Sequence, residues 1–210
     1  MKTATERRAI KNAMSRTVLQ TVHTAGCELL PDRSILLDRM PKHGLAAEIG
    51  VAFGDYTREI MARTAPSRLF LIDAWATDRY RDGLENIRSE WADAISCGKI
   101  VIEQGLSTEV LARLPANTFD WVYIDTNHTY ETTLEELELC SGLVKRNGLI
   151  AGHDFCTGNV IDAVPYGVIE AVMEFCKAKN WGFRYLTLET RGHFSFCLQA
   201  LNETSASRPT

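Results

Sequence analysis

The feature that most constrains this chain is a repeated alternation of short apolar runs with amphipathic segments. Five runs read as strands: 45–49, 69–72, 100–102, 119–124 and 149–151. Each is followed by apolar residues at helical spacing. Because the strands are almost continuously apolar, the pattern predicts an α/β fold with a mostly parallel, doubly wound sheet that helices cover on both faces.

The two ends of the chain depart from this alternation. Runs 183–188 and 193–198, joined through Gly192, predict a C-terminal antiparallel hairpin and bring the sheet to seven strands. Residues 5–24 have apolar side chains at three-and-four spacing and predict one amphipathic helix. The predicted division is an N-terminal helical segment at 1–44, the sheet domain at 45–201 and a polar tail at 202–210.

Several helix ends are also predicted from local signals. Thr57 is expected to cap a helix that continues through Ile60. A single helix is expected through Leu84 and Ile95. Another is expected at 131–145, closed by the basic and glycine-containing run 145–148.

Composition limits the classes of partner. The 210 residues suit one domain with a proper core, and the formal net charge of −4 argues against a large nucleic-acid surface. No apolar run reaches the roughly 18 residues of a membrane span, and no secretory signal is recognised. The six cysteines contain no CxxC pair. A reduced, cytoplasmic protein without membrane or nucleic-acid partners is therefore expected.

Polar residues follow every strand of the predicted parallel sheet. In such sheets ligands bind at the carboxyl ends of the strands. The residues at those ends are Glu48 to Gly50, Asp73, Glu103 to Ser107, Asp125 to His128, and His153 with Asp154. We expect them to surround one cleft.

The first loop, EIGVAFGDYT, indicates which ligand the cleft holds. Gly50 would allow a tight turn, and Gly54 would leave room for a ligand against the next helix. The loop lacks the third glycine of a dinucleotide fingerprint, and Glu48 suits a ligand with an amine. Asp73 stands where an acid accepts hydrogen bonds from ribose hydroxyls. A ribose with a cationic, phosphate-free part describes S-adenosylmethionine.

Two further motifs carry a family resemblance: YIDTNHTYE at 123–131 and NGLIAGHDF at 147–155. With the glycine loop and Asp73, they make residues 45–200 resemble the class I S-adenosylmethionine-dependent methyltransferases, in the small-molecule branch of methyltransferase family 24. The resemblance implies a Rossmann-like fold, a glycine loop around the methionine moiety and a turn beside adenine after the third strand. The cofactor-binding residues implied are Glu48, Gly50, Phe53, Gly54, Asp73, Ala74, Trp75, Leu106, Ser107 and Asp125. Leu106 and Asn127 depart from the family pattern, since each replaces a frequent Asp.

The predicted catalytic residues are Asp125, His128, His153 and Asp154. His128 is either a general base or a structural imidazole. Asp125, His153 and Asp154 are a candidate site for Mg²⁺ or another divalent cation that polarises a hydroxyl. In the alternative, Asp125 holds the methionine amine, and Asp154 accepts a hydrogen bond from His128 or caps a turn.

The chemical class of the methyl acceptor is inferred only by analogy with the family. We expect O-methylation of a small polar metabolite or sugar, with the N-terminal helix and residues 156–166 covering the acceptor side. A homodimer is left open. Two alternatives remain: a non-catalytic module that binds S-adenosylmethionine, and a nicotinamide-dependent oxidoreductase, which the missing third glycine disfavours.

Overall fold

Strands and helices alternate through residues 2–201, the part of the chain that the computed structural model describes. The strands are β1 (Glu28–Leu30), β2 (Leu45–Ile49), β3 (Arg68–Asp73), β4 (Ile100–Gln104), β5 (Phe119–Ile124), β6 (Val144–Gly152), β7 (Gly158–Asn159), β8 (Val164–Pro165), β9 (Trp181–Thr187) and β10 (Phe196–Ala200). The helices are α1 (Ala4–Ala13), α2 (Arg33–Arg39), α3 (Asp55–Thr64), α4 (Gly83–Glu90), α5 (Ala92–Ser96), α6 (Ser107–Arg113), α7 (Tyr130–Leu143) and α8 (Val168–Lys179). A short 3₁₀ turn lies at Thr21–His23.

The main sheet has eight strands in the order β1-β9-β10-β6-β5-β2-β3-β4. Strands β2 to β6 pair in parallel, and β10 pairs antiparallel with both β6 and β9, so the predicted C-terminal hairpin is confirmed. The predicted count of seven is wrong because β1 adds an edge strand, parallel to β9. Three residues are too few to show a strand period, so only pairing with β9 defines β1.

Helices cover both faces of the sheet, as the nearly continuous apolar strands predicted. Side chains of β5 alternate between the two layers: Val122 and Ile124 face one, while Trp121 and Tyr123 face the other. The first layer is filled by Val110, Leu111, Leu137, Val172 and Phe175 of α6, α7 and α8. The second is filled by Leu36, Leu37, Ile60 and Ile87 of α2, α3 and α4.

The N-terminal helix is shorter than predicted. It runs from Ala4 to Ala13 and buries no residue, and Met14 is extended. Thr17, Val18 and Thr21 are β-branched and lose side-chain freedom in a helix, so the apolar spacing beyond Ala13 is not enough to continue it. Helix α2 and strand β1, also from 1–44, were not predicted. The predicted tail at 202–210 lies outside the described residues.

Other predicted helix limits also need correction. Helix α7 ends at Leu143, and β6 begins at Val144 because it pairs with Phe119 of β5. The predicted helix through Leu84 and Ile95 is divided into α4 and α5. Helix α3 begins after Gly54, which is its N-cap, and Thr57 lies inside the helix. No helix within residues 2–201 is long and apolar enough to cross a membrane.

Candidate active site

A cavity of about 410 Å³ lies at the carboxyl ends of the central parallel strands. Eight of the ten predicted cofactor-binding residues line it: Glu48, Gly50, Phe53, Asp73, Ala74, Leu106, Ser107 and Asp125. His128 also lines the cavity, as do Arg33, Tyr56 and Tyr80, which the predicted set did not contain. The convergence follows from topology, because parallel strands present all their carboxyl ends at one sheet edge.

Asp73 organises the loop that follows β2. Its Oδ2 accepts hydrogen bonds from the backbone N–H groups of Val51 and Ala52, at 2.7 and 2.9 Å. Its Oδ1 accepts from the backbone N–H of Trp75 at 2.8 Å. Oδ2 thus uses both of its lone pairs on the loop, whereas Oδ1 has lone-pair capacity left for a ligand hydroxyl. Asp73 is therefore a structural acceptor as well as a candidate ribose ligand.

The two glycines of the loop have different neighbours. Gly50 has φ +89°, and a Cβ there would lie 2.0 Å from the carbonyl oxygen of Asp125, so only glycine lets the loop approach β5. Gly54 has φ +83°, and a Cβ there would lie 2.3 Å from Cδ1 of Ile87 in α4. A side chain at Gly54 would therefore meet a packed isoleucine, and the expected place of Gly54 beside a ligand stays a prediction.

Trp75, the other predicted cofactor residue outside the cavity wall, supports the loop from behind. Its side chain is buried, and Nε1 donates a hydrogen bond to the carbonyl oxygen of Ala52 at 2.8 Å. Trp75 is held at φ +46°, a conformation that non-glycine residues seldom adopt. Tyr80 takes a place on the cavity wall instead, with its ring edge-to-face against Phe53.

Glu48 is a buried carboxyl at the floor of the cavity, only 1% exposed. Burial raises its pKa to about 8; Asp125 and Asp73 also raise it, whereas the Thr57 hydroxyl and Arg33 lower it. Thr57 Oγ1 donates to Glu48 Oε2 at 2.6 Å. Glu48 is therefore mostly protonated at neutral pH and can ionise when a cation binds beside it.

Arg33 is the main residue of the cavity that sequence reasoning missed. It is the first residue of α2, and its guanidinium lies 4.8 Å from the centre of the Tyr56 ring. Burial lowers its pKa, but Tyr123, Tyr56 and Asp125 raise it by more. Asp32 before an apolar run is a signal for the start of a helix, since its side chain caps α2. The placement of Arg33 at the cleft comes only from the packing of α2.

His128 lies between the carboxylates of two neighbouring strand ends. Its Nε2 is 2.7 Å from Asp154 Oδ2 and 3.1 Å from Asp125 Oδ1. Burial lowers the pKa of His128, but Asp125 and Asp154 raise it by more, to about 9. Burial tends to raise the pKa of Asp154, yet His128 and His153 hold it well below its usual range. The 2.7 Å contact between His128 Nε2 and Asp154 Oδ2 is the one expected if Asp154 accepts from His128, and that alternative stays a prediction.

His153 stands farther from both carboxylates. Its Nδ1 is 3.5 Å from Asp154 Oδ2 and 3.7 Å from Asp125 Oδ2, and neither His153 nor Asp154 lines the cavity. The predicted metal set included His153, but the tighter group is Asp125, His128 and Asp154, whose ligand atoms lie within 4.8 Å of one another. His128 takes this place because its backbone turns back at φ +61°. Any ion there would replace the proton that His128 shares with the carboxylates.

The segment after β6 and the N-terminal helix meet beside His128. The Tyr166 ring stacks on His128, with ring centres 4.6 Å apart. Lys11 of α1 donates to the carbonyl oxygen of Tyr166 at 2.9 Å and forms an ion pair with Glu170 of α8. Strands β7 and β8 form a small hairpin between Cys156 and Tyr166. Tyr166, which stacks on His128, is thus hydrogen-bonded to the N-terminal helix.

Solved structures show the same fold. A Clostridium thermocellum protein assigned as an rRNA-methylase aligns with TM-score 0.61 and 15% identity, over 81% of this chain and 94% of its own. Cofactor-bound Rv0187 from MTB aligns with TM-score 0.59 and 15% identity, over 93% and 88%. The B. subtilis M1A22 tRNA methyltransferase TrmK aligns with TM-score 0.59 and 11% identity, over 84% and 69%.

Sequence comparison gives the narrower result. Curated protein sequences include no match to this chain. A family model described as a methyltransferase domain matches residues 47–155, just over half of the 210 residues. The matched region contains the glycine loop, Asp73, the YIDTNHTYE stretch and the GHDF turn. With the parallel sheet and the cavity at its carboxyl edge, this match means that the chain belongs to the class I S-adenosylmethionine-dependent methyltransferases.

Proposed function

We propose that this methyltransferase transfers the methyl group of S-adenosylmethionine to a hydroxyl oxygen of a small polar metabolite or sugar. The observation that carries the proposal is the position of His128. It lines the cofactor cavity and is held by carboxylates at the ends of two adjacent strands. A fixed imidazole at that place is suited to receive the proton of an acceptor hydroxyl.

The chain offers a complementary group for each part of the cofactor. Glu48 and Asp125 would hold the methionine amine, and Arg33 would meet its carboxylate, as opposite charges in a sheltered cavity favour. Asp73 would accept from the ribose hydroxyls, while Leu106 and Ser107 would border adenine. When bound, the cofactor supplies an electrophilic methyl group on a sulfonium.

The chemistry assigned to the chain is positioning and proton transfer. Neutral His128 would keep its own proton on Nε2, between the two carboxylates, and would take the hydroxyl proton of the acceptor at Nδ1 as the acceptor oxygen receives the methyl group. Asp125 and Asp154 then stabilise the imidazolium. The same carboxylates make neutral His128 a stronger base, while they reduce the fraction of enzyme that carries it at neutral pH.

The cover beside His128 and the charge of the chain favour a small acceptor. Tyr166 stacks on His128 and so limits the room for a bulky acceptor beside the imidazole. Asp73 and Asp125 line the cavity, and the chain has a net charge of −4, both unfavourable for a polyanion. Two structural neighbours act on RNA by name, but at 15% and 11% identity they indicate the fold alone.

The test combines an acceptor screen with one variant. Conversion of S-adenosylmethionine to S-adenosylhomocysteine is measured with hydroxylated metabolites, sugars, tRNA and rRNA. With the acceptor found, His128→Ala should lose about 10²–10⁴ in rate while S-adenosylhomocysteine binding changes little. His43→Ala, at an exposed histidine, is the matched control. Methylation of RNA with no small-molecule acceptor would reject the proposal, and so would an active His128→Ala enzyme.

A second candidate mechanism uses a divalent cation on Asp125, His128 and Asp154, whose atoms can meet one ion. Oxygen and imidazole donors suit such a cation, which would polarise the acceptor hydroxyl. This mechanism predicts that a chelator abolishes turnover and that Mg²⁺ or Mn²⁺ restores it. Turnover that is indifferent to the chelator would leave His128 as the base.

A further inference from the structure

A second group of metal-ligating side chains lies behind His128, outside the cofactor cavity. It consists of Asp154, Cys156 and His193, and one ligand atom from each lies within 4.8 Å of the others. Cys156 Sγ is 3.7 Å from His193 Nδ1, which is hydrogen-bonded to Asp154 Oδ1. Asp154 is buried, while the other two are half-buried. Neither Cys156 nor His193 has a role in the methyl transfer proposed above.

Backbone contacts hold these three residues together. Asp154 is in the left-handed region at φ +56°, which turns the chain sharply after β6. The N–H of Phe155 then donates to the carbonyl oxygen of Phe194 at 2.9 Å. This bond fixes the segment that carries Cys156 beside the loop that carries His193. The approach of thiol and imidazole is therefore built into the fold, although 37 residues separate them in sequence.

The donor set identifies the class of ion. A thiolate, an imidazole and a carboxylate are ligands of Zn²⁺, whereas Mg²⁺ and Ca²⁺ prefer oxygen alone. Tetrahedral zinc with Zn–S of about 2.3 Å and Zn–N of about 2.0–2.1 Å places sulfur and nitrogen about 3.6 Å apart. The observed separation of 3.7 Å fits this value. Coordination would replace the hydrogen bond between His193 and Asp154.

We propose that Asp154, Cys156 and His193 bind one zinc ion, with a water in the fourth position. The site is distinct from the cation candidate at Asp125 and His128, because His193 contacts Asp154 Oδ1 while His128 contacts Oδ2. The ion would link the start of segment 156–166, which contains the β7–β8 hairpin, to the loop before β10. By fixing the Asp154 carboxylate it would also orient His128 from behind.

The experiment uses Co²⁺ as a spectroscopic substitute for Zn²⁺ in the full chain. Protein stripped with a chelator is titrated with Co²⁺, and absorption reports a tetrahedral ion with a thiolate ligand. We expect one equivalent with a thiolate-to-cobalt band, displaced by Zn²⁺. The band should be absent in Cys156→Ser and retained in Cys97→Ser, a matched change at an exposed cysteine. His193→Gln should weaken Zn²⁺ affinity by at least tenfold and provides a second test if Cys156→Ser folds poorly.

Two results would overturn the proposal. One is the absence of the thiolate band in the unmodified protein. The other is an ion lost in His128→Ala but retained in both Cys156→Ser and His193→Gln, which would place it at Asp125 and His128. Calorimetric binding of S-adenosylhomocysteine, measured on the same samples, reports separately on the cofactor site. Failure of the zinc site can therefore be distinguished from failure of the proposed methyl transfer.

Discussion

Replacement of Glu48 by glutamine should make the protein more stable at high pH and leave its stability unchanged at low pH. Glu48 is 1% exposed, and burial raises its pKa to about 8 from an ordinary value of 4.5. The folded state therefore binds a proton that the unfolded state releases, between about pH 4.5 and pH 8. In that window stability falls as pH rises, because ionisation favours the unfolded chain.

The size of the effect follows from the two pKa values. Between pH 6 and pH 8.5 the contribution of Glu48 to the free energy of unfolding should fall by about 2.5 kcal/mol. Glutamine has no proton to lose and can still accept the Thr57 hydroxyl bond. The two proteins should thus match below about pH 4, and the stability advantage of the variant should grow by about 2.5 kcal/mol between pH 6 and pH 8.5.

Urea unfolding at a series of pH values measures this difference. Taking the difference between the proteins cancels other titrating groups, among them Glu136, whose pKa burial raises to about 7. Glu131→Gln, at an exposed glutamate, is the matched control and should show no trend. A Glu48→Gln difference that stays constant within about 0.5 kcal/mol from pH 6 to pH 8.5 would refute the reasoning, since the carboxyl would not be titrating there.

Four further predictions concern the cofactor site. Binding of S-adenosylhomocysteine at pH 7 should release close to one proton if its amine ionises Glu48; calorimetry in buffers of different ionisation enthalpy measures this, and no release would contradict it. Asp73→Ala should weaken the same binding by about 1–3 kcal/mol and also lower the free energy of unfolding, because three backbone N–H groups lose their acceptor; unchanged affinity by calorimetry would remove Asp73 from the ribose site. Gly54→Val should lower the thermal midpoint through its φ of +83° and its contact with Ile87; an unchanged midpoint in a melting scan would contradict that contact. Arg33→Met should weaken the binding of S-adenosylhomocysteine by about 1–2 kcal/mol but leave the binding of 5′-methylthioadenosine, which has no carboxylate, unchanged; equal losses of affinity for both ligands would mean that Arg33 supports the fold and does not contact the carboxylate.

The candidate site was partly predictable because parallel sheets concentrate strand ends. Asp73, Asp125, His128 and Asp154 each follow an apolar run, and topology alone brings such residues to one edge. Their individual contacts were not predictable. Whether Asp73 serves the loop or a ligand depends on where the N–H groups of Val51 and Ala52 point. That direction is a property of the folded backbone.

The sequence by itself determined the layers of this protein. Local periodicity distinguishes strand from helix, and apolar strands require helices on both faces of the sheet. The doubly wound sheet and its polar edge could therefore be predicted from residues that are close in the chain. Tertiary structure alone decided which distant residues meet. It placed β1 beside β9, Arg33 in the cleft, Ile87 against Gly54, and Cys156 beside His193. The physical reason is that these contacts depend on packing and on backbone turns such as those at His128 and Asp154, which leave no period in the sequence.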